Sequence, residues 1–313
     1  MDAQHVAIAV GVPLLAGIVA SALALFALPA VAPRKRREGL RRVTFAWVIP
    51  ALTGLAVLVG SWVWQSGLEL WPRNVTQRFP AVAVAAAVVG LLLGAAPIAR
   101  RWFLAAPLAS LAAGFGAWAF IEPLSDSVLP TATTWLVIVG VGLYAAVAAV
   151  TLEAGAKRWP NWSVPAAMSC LIGFGALGAT QGFANAPIVL GAPAGFLLGV
   201  FAIAAFASIA PFVKISAPPI PGLGAATAVL VATLAVFANW LGHTEQWLMF
   251  ALILAAPLAT AACLLPPLKK RGPFTRVVIA AIPAMIILGG QVARAVPELV
   301  EAMNPSDEYD YDY

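Results

Sequence analysis

Apolar residues run through this chain in long blocks, and short stretches between the blocks hold nearly all of the charges. Crossing about 30 Å of hydrocarbon takes roughly 20 helical residues, and ten blocks are of about that length. Each is predicted to be an α-helix, because lipid offers no hydrogen-bond partner to an open backbone. The predicted spans are His5–Ala32, Val43–Trp64, Pro80–Ala99, Trp102–Phe120, Thr134–Leu152, Val164–Thr180, Ile188–Val213, Ile220–Leu241, Trp247–Pro266 and Val277–Ala293.

This pattern predicts an all-α integral membrane protein, a polytopic bundle of about ten transmembrane helices with no soluble domain. The longest loops, Gln65–Phe79 and Ile121–Thr133, are too short to bury a core of their own. Residues 1–296 are expected to form the membrane domain. Residues 297–313 are expected to be a disordered tail, because this segment holds six acidic residues and no basic one.

Composition agrees with a membrane protein. Hydrophobic residues make up 62% of the chain and charged residues only 10%, and the mean hydropathy is +0.93. Soluble domains hold about a quarter charged residues, so the soluble classes are excluded. The net charge of +5 does not indicate a nucleic-acid partner, because the basic residues are confined to particular loops.

The basic residues lie in alternate loops. Loops that follow odd-numbered spans hold 15 of the 18 Lys and Arg residues, and the positive-inside rule places such loops in the cytoplasm. Both termini are therefore expected on the non-cytoplasmic side. The other side holds only Arg73, Arg78 and Arg294. Arg outnumbers Lys 13 to 5, a bias typical of GC-rich coding sequences, so a bacterial inner membrane is the expected location.

Candidate substrate-binding residues lie between the sixth and seventh spans. They are Thr180, Gln181, Asn185 and Pro187. Carriers build uncharged sites from broken helices, freed carbonyl groups and side-chain amides. Two other interpretations remain open, namely an ordinary tight turn between two helices and a re-entrant pair that would leave eight true crossings.

Small residues at helical spacing indicate close contacts between helices. Gly90 and Gly94 form one such pair, and Gly195 and Gly199 form another. Glycine lets two helix backbones approach each other in a membrane. The pairs favour packing within one bundle, with homodimerisation as the alternative.

No predicted span holds Asp, Glu, Lys, Arg or His deep within it, which argues against a proton relay in the bilayer. Neither catalytic residues, metal ligands nor a cofactor are predicted, so the chain is not expected to be an enzyme. We expect a transporter or permease for a neutral or amphipathic small molecule. The alternatives are a non-catalytic membrane scaffold or complex subunit and, less favoured, a lipid-modifying enzyme. Expected partners are the bilayer and, for a scaffold, another membrane protein or a second copy.

Overall fold

The computed structural model describes the chain over most of its first 241 residues. The described residues are 3–27, 30, 36–65, 67–96, 101–125, 130–158, 164–168, 170–172, 186–209 and 220–241, with eight single residues beyond. Within these ranges the chain is helical and forms no strand, which confirms the all-α class. The acidic tail at residues 297–313 lies outside them.

Seven α-helices form the described bundle. Leu23–Ala27 continues the first helix as a π-helical turn, and Val75–Gln77 is a 3₁₀ turn before the third. The α-helices are α1 (Ala3–Ala22), α2 (Arg37–Gln65), α3 (Phe79–Ala95), α4 (Arg101–Ser125), α5 (Thr131–Arg158), α6 (Ala186–Ile209) and α7 (Leu223–Leu241).

Five of these segments are long and apolar enough to cross a membrane. They belong to α1 with its π-helical turn, α2, α4, α5 and α6, whereas α3 and α7 provide shorter apolar segments. These helices coincide with the first five predicted spans and with the seventh and eighth. The predicted sixth, ninth and tenth spans fall mostly outside the described residues.

Helix α2 and helix α3 pack antiparallel through glycine. A Cβ atom on Gly54 would lie 2.5 Å from the backbone nitrogen of Ala87, and one on Gly94 would overlap the carbonyl of Ala46. The contacting residue numbers therefore increase along α3 as they decrease along α2. Only glycine permits such an approach of two backbones, so the predicted role of Gly94 in packing is confirmed within the chain.

Helix α1 and helix α6 pack parallel. A Cβ on Gly195 would lie 2.7 Å from the carbonyl oxygen of Val10, and one on Gly199 would overlap the carbonyl of Leu14. Positions four residues apart on α6 thus meet positions four residues apart on α1, in the same order. The Gly195–Gly199 spacing packs two helices of one bundle, as the first of its two interpretations predicted.

The end of α5 and the start of α6 lie at opposite ends of the bundle. Helix α6 begins beside the last turns of α2, where a Cβ on Gly60 would lie 2.7 Å from the carbonyl oxygen of Ile188. Helix α5 ends beside Gly224, and the neighbouring Gly222 packs on Gly90 in the second half of α3. Because α3 ends beside the start of α2, the end of α5 lies near the start of α2, whereas α6 begins near the end of α2. The predicted sixth span between α5 and α6 fits this arrangement.

Helix α7 lies at the centre. Every residue from Ile220 to Val236 is buried, and the helix packs against α2, α3, α4 and α5. A helix that is apolar and buried on all sides needs neighbours around its whole circumference. The other six helices expose large apolar side chains to their surroundings, as lipid-facing helices do.

Candidate functional site

Three of the four predicted substrate-binding residues, Thr180, Gln181 and Asn185, lie outside the described residues. The fourth, Pro187, lies in the first turn of α6, where proline is well tolerated because the first helical N–H groups have no partner within the helix. The structure therefore leaves this candidate site as a prediction. Other features of the bundle carry the chemistry described below.

An apolar groove of about 500 Å³ opens between α4 and α5. Its volume falls within the range of about 300–1,000 Å³ typical of ligand sites. The lining positions repeat every three or four residues along each helix, so one face of α4 opposes one face of α5. The lining residues are Ser110, Leu111, Gly114, Phe115 and Trp118 on α4, and Trp135, Ile138, Val139, Gly142 and Leu143 on α5.

Small residues give the groove its depth. A Cβ on Gly142 would lie 2.8 Å from Oγ of Ser110, so α4 and α5 approach closely at that level. A Cβ on Gly114 would lie 3.6 Å from Cγ2 of Ile138, an ordinary van der Waals contact, and a larger side chain there would extend into the groove. Ser110 contributes a hydroxyl group to the otherwise largely apolar lining.

Aromatic rings cover one end of the groove. Trp71, in the loop between α2 and α3, stacks on Trp118 with ring centroids 5.8 Å apart and lies 6.0 Å from the ring of Phe115. Trp135 is 61% exposed on the facing helix. Tryptophan is enriched at the boundary between headgroups and hydrocarbon, so this end of the groove has the character of a membrane interface.

A buried arginine holds the loop at this end. Nη1 of Arg78 donates to the carbonyl oxygen of Ala119 over 2.7 Å and to Oε2 of Glu122 over 3.0 Å. The guanidinium carbon also lies 4.6 Å from the ring centroid of Trp71, a cation–π distance. Arg78 is only 7% exposed, so its desolvation is offset by these contacts. It joins the Trp71 loop to the last turns of α4.

At the opposite end, Glu153 of α5 caps the central helix. Its Oε1 accepts hydrogen bonds from the backbone N–H groups of Gly222, Gly224 and Ala225, at 2.8, 3.1 and 3.3 Å. These N–H groups lie at the start of α7, where the backbone donors have no acceptor within the helix. A carboxylate there also interacts favourably with the positive end of the helix dipole. Gly222 adopts a φ of 87°, which suits glycine alone.

Four fully buried hydroxyl groups within the described part of the chain have no hydrogen-bond partner. They belong to Ser21 of α1, Ser61 of α2, and Thr227 and Thr233 of α7. By contrast, the equally buried Thr53 donates to the carbonyl oxygen of Ile49 over 2.8 Å, the usual arrangement within a helix. Unpaired buried polar groups are rare in proteins and call for an explanation.

This arrangement can hold apolar and uncharged molecules. The buried Arg78, paired with Glu122, and the buried carboxylate of Glu153 lie at the two ends of the bundle and are engaged in contacts between helices. The described helices carry hydroxyl groups between these ends and no Asp, Glu, Lys, Arg or His at mid-length. Among the described residues no three metal-binding side chains come together.

The chain matches no protein-family model, and no curated protein or solved structure matches it either.

Proposed function

We propose that this protein is a membrane transporter for neutral or amphipathic small molecules. The observation that carries the proposal is the set of buried, unpaired hydroxyl groups on helices that lack charged side chains at mid-length. Two of these hydroxyl groups, on Thr227 and Thr233, belong to the central helix. A carrier of uncharged molecules needs polar groups that can hydrogen-bond to the substrate and, in its absence, to water. Hydroxyl groups can donate and accept such bonds without a charge.

The energetic cost of these groups favours a function for them. A buried hydroxyl without a partner destabilises a protein by about 1–3 kcal/mol. At these four positions an alanine or valine would remove that cost in a purely structural bundle. Thr233 also lies directly against α4, since a Cβ on Gly116 would be 2.6 Å from its Oγ1. Separation of α4 from α7 would expose the Thr233 hydroxyl to a substrate.

The residues predicted between the sixth and seventh spans remain part of the proposal. Thr180, Gln181 and Asn185 would add hydroxyl and amide groups, and Pro187 would limit the backbone hydrogen bonds at the start of α6. Replacing Asn185 by Leu is expected to abolish transport. Unchanged transport would remove Asn185 from the proposed site.

A second candidate function is a non-catalytic scaffold or subunit of a membrane complex. The close backbone contacts at Gly54, Gly94, Gly195 and Gly199 favour it, because they fix α2 to α3 and α1 to α6 over several turns. A scaffold needs rigid packing and exposed faces for partners, but it does not need unpaired hydroxyl groups in its core.

The Thr233→Val variant separates the two functions. Valine keeps the branched shape and removes the unpaired hydroxyl, so the free energy of unfolding is expected to rise by about 1 kcal/mol. In a transporter the flux is expected to fall about tenfold, the loss of roughly one hydrogen bond. Flux is measured in vesicles containing the purified protein, with uncharged solutes ranging from glycerol and urea to an amphipathic dye.

Thr151→Val is the matched control. The hydroxyl group of Thr151 donates to the carbonyl oxygen of Val147 over 2.8 Å and lies outside the core. This variant is expected to leave both stability and flux nearly unchanged. If Thr233→Val raises stability while no solute moves in either protein, the scaffold function is supported instead.

A further inference from the structure

The groove between α4 and α5 has the shape and polarity of a binding site for a lipid chain. We propose that it holds one hydrocarbon chain of a zwitterionic bilayer phospholipid, whose headgroup lies beside Arg73 and Glu122. This inference goes beyond the proposed function and does not depend on it, since a transporter and a scaffold could both retain a structural lipid.

The length of the groove fits one leaflet. Its lining runs from Ser110 to Trp118 on α4 and from Trp135 to Leu143 on α5, a separation of eight positions on each helix. A separation of eight positions rises about 12 Å along an α-helix, and one leaflet contributes about 15 Å of hydrocarbon. The groove therefore extends from the tryptophan-rich end toward the middle of the bundle, as an acyl chain does.

The volume of the groove is too small to enclose a whole helix. A helical segment 12 Å long and about 10 Å wide would fill about 900 Å³, and the groove offers about 500 Å³. A single chain of methylene groups needs no backbone hydrogen bonds and can follow a narrow path between side chains. The lining is almost wholly apolar, which suits such a chain.

The groove is open to the surroundings of the bundle. Trp135 and Leu143 on α5 are 61% and 62% exposed, and Phe115 and Trp118 on α4 are about 40% exposed. A groove with exposed apolar walls in a membrane protein faces the hydrocarbon of the bilayer. The chains of neighbouring lipids can therefore enter it from the side.

Charges of both signs mark the tryptophan-rich end. Glu122 follows Trp118 by one helical turn, and its side chain is 46% exposed. Arg73 is exposed two residues after Trp71, whose ring stacks on the groove wall. A guanidinium group complements a phosphate and a carboxylate complements an ammonium group. Glu122 also pairs with the buried Arg78, and the exposed part of its carboxylate together with the exposed Arg73 fits a zwitterionic headgroup such as phosphatidylethanolamine.

Lipid retention by the full-length protein tests the inference. The protein is purified from membranes rich in phosphatidylethanolamine, and the bound lipid is measured by native mass spectrometry. Gly114→Phe fills the groove and removes on the order of ten carbon contacts, so the bound fraction is expected to fall about tenfold. Gly140→Phe is the matched control, because a Cβ there meets no atom within 4 Å. Equal retention by both variants would overturn the inference.

A second measurement uses the wild-type protein and does not depend on how Gly114→Phe folds. Phosphatidylethanolamine with a photoreactive group in its acyl chain is added to vesicles that contain the protein. Adducts are expected on the lining residues between Leu111 and Trp118 and between Trp135 and Leu143. Adducts spread evenly over all exposed helices, or a protein cross-linked at these positions instead, would contradict a dedicated lipid site. Arg73→Gln is expected to lower the preference for phosphatidylethanolamine without abolishing chain binding.

Discussion

The central helix α7 and the outer face of α4 and α5 are built from similar apolar residues but meet different surroundings. From Ile220 to Val236 every residue of α7 is buried, and the start of the helix is capped by Glu153 of another helix. On α4 and α5, side chains such as Leu111 and Leu136 are exposed by 73% and 74%. Hydropathy alone does not distinguish the two regions, because both protein interior and lipid are apolar.

The difference lies in what small residues do in each region. Around α7, Gly222 and Gly224 permit direct backbone contact with α3 and α5, which leaves no space for a side chain. On the outer face, Gly114 borders a groove with room for an occupant, and Gly140 has no neighbour within 4 Å. Glycine therefore permits close helix packing in the core, whereas on the outer face it leaves space beside the helix.

Substitution of Gly222 by Ala is expected to have a large effect. At a φ of 87° alanine is strained, and its Cβ would lie 2.5 Å from the carbonyl oxygen of Gly90. Strain and overpacking together are expected to reduce the free energy of unfolding by about 3 kcal/mol or more. The change is measured by unfolding the purified protein with a denaturing detergent in mixed micelles.

The paired variant Gly140→Ala makes the comparison specific to position. Gly140 lies within a helix and faces open space, so alanine is expected to stabilise the protein by up to about 1 kcal/mol. Changes of opposite sign in the free energy of unfolding of the two glycine variants would support the contrast between the core and the outer face. Equal effects would show that Gly140 is also in close contact in the membrane.

Removal of the Glu153 carboxylate is expected to have an intermediate effect. Glu153→Ala leaves the N–H groups of Gly222, Gly224 and Ala225 without their shared acceptor, and we expect a loss of about 2 kcal/mol. Glu153→Gln retains one acceptor oxygen and is expected to lose about half as much. If Glu153→Ala unfolds at the same detergent fraction as the wild type, Glu153 does not stabilise the start of α7.

The membrane helices were predictable because their signal is strong. The cost of placing open backbone in lipid forces each long apolar block to be helical, and the seven helices overlap the first five predicted spans, the seventh and the eighth. Gly94 and Gly199 were also predicted as packing positions from their spacing alone. The partner of each glycine was not predictable, because spacing identifies the face of a helix and says nothing of the neighbour it meets.

The buried charges were missed, although the sequence contained a signal for them. Arg78 is one of three basic residues on the side with few basic residues, and Glu153 is one of two acidic residues on the other side. These are the two buried charged residues in the described part of the chain. Arg78 and Glu153 depart from the predicted distribution of charges, and both make contacts between helices. The sequence contained no comparable signal for the groove, since the residues that line it are apolar like those of other lipid-facing helix surfaces.

The smallest effect is expected for Leu136→Ala on the outer face. Leu136 is 74% exposed and lies beside the groove without lining it, so we expect its side chain to meet apolar surroundings both before and after unfolding in micelles. The expected loss in the free energy of unfolding is less than about 0.5 kcal/mol. The same substitution at Leu230, which is 1% exposed on α7, is expected to cost about 2–5 kcal/mol. A loss at Leu136 close to that at Leu230 would show that another protein or a second copy covers this face, and would favour the scaffold over the transporter.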